Sequence, residues 1–160
     1  MRYVRIQNFA VEVIKPIIKH LKTIKKTNKM PWKQIETILK ILYPETKYEN
    51  VSKGYFKHVF VIHTDTRWFA LKIGRKPEHI KKDFKTYIDL PKTSRNRYYA
   101  KIYWVKDIFM LQKWGDKVEV PHDELIRLKE WGRKQGLKDI RPANIMRVDG
   151  RFKIVDAEKS

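Results

Sequence analysis

The chain has 160 residues, a formal net charge of +19 from 37 Lys and Arg against 18 Asp and Glu, and 42% hydrophobic residues. This suits one domain, or a small domain with an extension, with enough apolar material for a core, and it argues against disorder. The lack of Cys excludes disulfide scaffolds, thiol nucleophiles and Cys-based metal sites, and no apolar run nears the ~20 residues that span a bilayer.

Glu12 interrupts the first apolar pattern, so no signal peptide and no membrane contact are expected, and the expected location is cytoplasmic. Apolar residues recur at helical spacing over 9–24, with Pro16 marking a kink or the true start. A second helical stripe, Ile35, Ile38, Leu39 and Leu42, follows Asn28 and Pro31 and stops at Pro44. Two such helices read either as a packed extension or as a helix-turn-helix.

Strand patterns then take over. The runs at 58–63 and 68–73, separated by Thr64-Asp65-Thr66, predict a hairpin. Pro77 opens a short helix with Ile80, Phe84 and Ile88 as its stripe, and Pro91 closes it. Strands are predicted at 98–105 and 108–111. Asp123 is the expected N-cap of a helix to about Gln135, with Leu125, Leu128 and Trp131 inward and Gly136 at its end. Asp149-Gly150, between apolar runs at 145–148 and 151–155, predicts a tight hairpin.

Charge is unevenly spread. Residues 1–50 hold 11 basic and 4 acidic side chains, residues 51–110 hold 14 and 5, and residues 111–160 hold 12 and 9. The surplus reads as attraction to a polyanion, RNA or a ribosome among them, or as a lysine-rich solvated surface. The stretch 95–104 interleaves basic and aromatic residues as single-strand binders do, and strand alternation over a core gives the same pattern. His20, His58, His63, His79 and His122 show no metal-ligand spacing.

Polar residues stand where the predicted elements end. Lys72 lies inside an apolar strand, where a buried ammonium is costly without an anionic partner. Asp139 and Asn144 are five apart, and Asp156 ends the last strand. In this order, 138–146 (KDIRPANIM) resembles the catalytic loop of the protein kinase-like superfamily, 155–158 (VDAE) resembles its D-F-G region, and Ala70-Leu71-Lys72-Ile73 is similar to its V-A-I-K strand. Leu137 stands in place of the loop histidine, and the phosphate loop has one glycine, which makes the chain similar to atypical members: RIO kinases, the small kinase of the KEOPS tRNA-modification complex and aminoglycoside phosphotransferases.

The resemblance covers 48–160. It implies an α+β, truncated kinase-like fold, with a small antiparallel N-lobe at about 48–112, a reduced helical C-lobe at about 113–160, and 1–47 as a helical extension. It implies ATP and Mg²⁺ as cofactors and phosphotransfer to a Ser or Thr hydroxyl on a protein substrate or on the chain itself. The alternative is an RNA- or ribosome-associated ATP-binding module with little transfer. Lys72 would hold the α- and β-phosphates, paired with Asp83 or Glu78 on the next helix. Asp139 would orient or deprotonate the acceptor hydroxyl, Arg141 would reach the γ-phosphate, and Asn144 and Asp156 would ligate the metal. Gly54 and Lys57 would border the phosphates, Met110 would back the adenine pocket, and Leu111 to Lys113 would supply its backbone contacts.

Overall fold

The computed structural model describes residues 57–64 and 67–159, with the backbone of 48–50 and two isolated helical positions, Thr37 and Lys40. The helix expected over 9–24, most of that after Pro31, and Gly54 lie outside the described residues. Chain contacts separate Met1–Tyr48 from Glu49–Ser160, and the second unit carries every described candidate residue.

That unit has an α+β fold built on a small antiparallel sheet. Strands β2 (Lys57–Thr64) and β3 (Arg67–Gly74) pair in unbroken register from Lys57 opposite Gly74 to Thr64 opposite Arg67. Val59 to Ile62 and Phe69 to Ile73 are buried on both faces, which is why these strands read as continuous β-branched and aromatic runs. With β1 (Tyr48–Asn50), β4 (Ile102–Lys106) and β5 (Phe109–Lys113), the sheet runs in the order β1-β2-β3-β5-β4.

Helices α1 (Pro77–Ile88) and α2 (Lys92–Tyr98) join β3 to β4. Proline opens α1 as expected, and Ile80 is fully buried, but Ile88 is 51% exposed and Tyr87 takes its place in the core. Eight residues overrun two helical turns by about 80°, whereas seven fall short by only about 20°, so Tyr87 lies under Ile80 and Ile88 rotates out. The strand expected to begin at Tyr98 begins at Ile102, because 92–98 is helical.

Helix α3 (His122–Lys134) follows β5, with Leu128 and Trp131 buried and Leu125 half-buried. It starts two residues earlier than expected: Pro121 is the N-cap and Asp123 sits in the first turn, where its charge suits the helix dipole without a capping bond. Gly136 follows at φ 75, the left-handed conformation that ends many helices. Beyond it come β6 (Leu137–Lys138), a 3₁₀ turn at Pro142–Asn144, β7 (Ile145–Val148), β8 (Arg151–Ile154) and β9 (Glu158–Lys159), with β6 on β9 and β7 on β8. Asp149 and Gly150 both have positive φ (53 and 77), as the two-residue hairpin turn requires.

One core cluster unites the two halves: Ile80, Tyr87 and Met110 from the sheet side pack with Leu128, Trp131 and Ile140. Each such side chain contributes about 1.5–3 kcal/mol of burial. Backbone bonds add direction. The Ala100 N–H donates to Ile154 O at 2.8 Å, and Asp116 and Arg147 exchange two bonds at 3.0 Å. Gly115 permits the second tether, since a Cβ there would collide with the Arg147 carbonyl. Among the described residues, no helix is long and apolar enough to cross a membrane.

Candidate functional site

Lys72 is a charged side chain buried in the core, at 2% exposure. β3 places it opposite Val59 on one side and Met110 on the other. Its Nζ donates to the carbonyl of Val155 at 2.8 Å, a bond spanning 83 residues of sequence. It also lies 5.4 Å from the ring centroid of Trp114, a cation–π distance. Ala70 on the same strand packs with Trp114, Met146 and Val155 in one apolar cluster. The strand lysine therefore meets the residue immediately before Asp156.

The segment from Asp139 to Asn144 is held from below by α3. Gly132 faces Ile140 so closely that a Cβ would run into Ile140 Cδ1, and Ile140 is buried. Fixed there, Asp139 adopts φ 64, a left-handed conformation that Asp tolerates better than most residues. Asn144 closes the loop: its Nδ2 donates to Asp139 O at 3.0 Å and to Asp139 Oδ2 at 3.2 Å. Its own carbonyl accepts from Val155 N–H at 2.9 Å. Asp139, Asn144 and the approach to Asp156 thus form one hydrogen-bonded unit.

Tyr99, to which the sequence assigned no role, is under the charge of both remaining carboxylates. It is buried, and desolvation holds its phenol well above its ordinary 10.0, with the negative charges of Asp156 and Asp83 adding to the effect. A hydrogen bond from the Ala157 backbone works the other way. Asp83 and Asp156 therefore act on the same buried phenol. Asp83 is half-buried, whereas Glu78 is exposed in the first turn of α1, so of the two it is Asp83 whose charge reaches the buried phenol. An aromatic residue ending a helix gives no periodic signal, which is why Tyr99 was missed.

Other expected positions fall differently. Leu111 and Lys113 are inside β5 rather than in a connecting segment, with Leu111 paired to Leu71 on one side and Trp104 on the other. Lys113 N–H already donates to Lys101 O at 2.8 Å, and its ammonium pairs with Asp149. The strand continues because Gln112, though polar, is fully buried and donates from Nε2 to Ala100 O at 3.2 Å. The backbone groups assigned to adenine are thus engaged in the sheet, and the chain first leaves it at Trp114-Gly115. Met110 is 1% exposed in the central core. Arg141 Nε pairs with Asp139 Oδ1 at 3.2 Å and is largely exposed. Lys57 begins β2.

Asn144 turns its amide nitrogen to Asp139; its Oδ1, like the carboxylate of Asp156, is an oxygen donor of the kind a hard cation takes. A cation held by these two side chains would draw its remaining ligands from phosphate and water. Among the described residues, no three His, Asp or Glu converge as a metal cluster. No protein-family model matches the chain, and no curated protein matches it significantly in sequence.

Proposed function

We propose that the chain is a minimal kinase-like phosphotransferase that uses ATP and Mg²⁺ to phosphorylate a Ser or Thr hydroxyl, on a protein substrate or on itself. The observation that supports this reading is the 2.8 Å bond from Lys72 Nζ to Val155 O, which brings the strand lysine to the residue just before Asp156. The Asp139–Asn144 clamp adds to it, since it gives one side chain for the acceptor and one for the metal.

Phosphoryl transfer asks for positioning and neutralisation of charge. Lys72 would balance the α- and β-phosphates, with Asp83 holding it in place. Asp139 would accept the proton of the acceptor hydroxyl as its oxygen bonds to the γ-phosphorus; the bond from that phosphorus to the β–γ bridging oxygen breaks, and ADP departs. Arg141, which pairs with Asp139 Oδ1 at 3.2 Å, would exchange that partner for the transferring phosphate. Bound Mg²⁺ would neutralise the developing charge on the phosphate oxygens. Asn144 and Asp156 would supply its protein ligands.

Incubation with labelled ATP and Mg²⁺ should transfer phosphate to protein. Mg-ATP should raise the melting temperature of the wild type and of Asp139→Asn but not of Asp156→Ala, since a ligand bound only to the folded state stabilises it. Asp139→Asn should lose transfer alone. No transfer with or without cell extract, together with no thermal shift in the wild type, would refute the proposal.

A further inference from the structure

Five cations gather where β8 meets the start of β4 and the end of α2. Lys153 Nζ donates to Asn96 O at 2.9 Å, which fixes β8 against α2. The Ala100 N–H to Ile154 O bond ties the start of β4 to the end of β8, and the Lys113 N–H to Lys101 O bond sets Lys101 opposite Lys113. Arg151 lies two residues along β8, and Arg97 follows Asn96. Asp149, paired with Lys113, is the carboxylate in this group. Arg97, Lys101 and Arg151 are exposed.

This arrangement carries a cost in the free protein. Burial lowers the affinity of Lys153 for its proton; Asp149 opposes that, and Lys113 and Arg151 add to the lowering. Like charges held together by backbone bonds gain most from a polyanion. Aromatic rings lie among them. Arg97 is 5.3 Å from the ring of Tyr98, and Lys101 is 5.4 Å from that of Tyr103. Tyr103 is the extra residue of a bulge in edge strand β4, between the paired positions Ile102 and Trp104. Such bulges re-aim a side chain, and Tyr103 is half-buried, with its ring edge-on to Phe69.

We propose that this face, Arg97, Lys101, Tyr103, Lys113, Arg151 and Lys153, binds a single-stranded nucleic acid, the cations tracking phosphates while Tyr103 stacks a base. A flexible polyphosphate with unpaired bases matches both features; an acidic polypeptide matches only the charge. The surface shares no side chain with Lys72, Asp139, Asn144 and Asp156 and does not need phosphotransfer. No 2′-hydroxyl contact is invoked, so RNA and DNA strands of equal length should bind alike.

The test uses the full chain and a fluorescent 12-nucleotide oligo(U), titrated by anisotropy across a range of NaCl. Each phosphate contact on a single strand contributes about −0.7 to the slope of log K against log salt, or about fivefold at 0.1 M. Arg97→Glu/Lys101→Glu/Arg151→Glu should therefore weaken binding by about 100-fold and flatten the slope by about 2. The same charge change on α1, Lys81→Glu/Lys82→Glu/Lys85→Glu, should cost less than about fivefold, because long-range charge is screened. Tyr103→Ala should cost about tenfold through stacking. Oligo(dT) should match oligo(U). Equal losses from the two triple variants, no loss from the first, or equal competition by polyglutamate at matched charge would overturn the proposal. Circular dichroism of the first triple variant should match that of the wild type, since the three side chains are exposed; a disrupted spectrum moves the comparison to Arg97→Gln/Lys101→Gln/Arg151→Gln, with the same criteria.

Discussion

Lys72→Met separates what the buried ammonium does for folding from what it does for a ligand. Methionine keeps an unbranched stem of similar volume, so packing in the strand survives. The lost bond to Val155 O is worth about 1.5–3 kcal/mol as a charged hydrogen bond, and the lost contact with Trp114 about 0.5–2 kcal/mol. Against this stands relief from holding an ammonium at 2% exposure, itself on the order of several kcal/mol. The terms largely cancel, so Lys72→Met should fall within about 2 kcal/mol of wild type, a melting shift of about 8 °C at most. Lys72→Ala empties the site and should lose about 2–5 kcal/mol. Differential scanning fluorimetry with and without Mg-ATP reads both roles. Saturation at 100 times Kd should stabilise the wild type by about 2.7 kcal/mol and neither variant. A Lys72→Met protein that keeps the full nucleotide shift would refute the assignment of Lys72 to phosphate. One that melts as low as Lys72→Ala would make the ammonium a structural group.

Two further outcomes follow from particular contacts. Gly115→Ala drives a methyl group into the Arg147 carbonyl and the Val148 backbone, and disturbs the paired bonds between Asp116 and Arg147. The expected loss is about 3–5 kcal/mol from overpacking and broken hydrogen bonds, whereas Gly150→Ala, with open space around it, should lose only about 1 kcal/mol to its positive φ; chemical denaturation should show that order. Tyr99 keeps its proton in the folded state beyond the pH at which an unfolded phenol ionises. Below about 10 both states are protonated and its contribution is intact; above that the unfolded state ionises first, so stability falls as pH rises until the folded phenol also ionises. Tyr99→Phe should remove that part of the alkaline loss, seen as a flatter melting temperature between pH 9 and 11 (about one unit either side of the phenol value).

Lys72, Asp139, Asn144 and Asp156 were visible in the sequence because each breaks a local pattern, a charge in an apolar strand or a polar group at a strand end. Their meeting was not visible, since it depends on an 83-residue closure from Lys72 to Val155. Helix α2 was missed because KTSRNRY has no apolar stripe. It is held by side chains: Arg95 Nη1 donates to Tyr87 O at 3.3 Å, its guanidinium lies 4.4 Å from the Tyr87 ring, and Tyr98 packs on Trp131 with centroids 5.0 Å apart. The end of β5 was placed two residues early, at Leu111, before the polar Gln112 and Lys113. A buried amide that finds a backbone carbonyl is indistinguishable, in sequence, from a solvated one.

The indole of Trp114 has a kinetic consequence. With Trp114 over its ammonium and Val155 O accepting from it, Lys72 is sealed from bulk anions in this conformation. A nucleotide whose phosphates reach Lys72 must meet a form in which that ring has moved, and its apparent affinity is scaled by the fraction of molecules so opened. An opening that is populated one time in a hundred, a difference of about 2.7 kcal/mol, weakens the apparent Kd by that same factor. The observed rate of nucleotide capture should then level off at high ATP concentration, at the rate with which the tryptophan leaves the lysine.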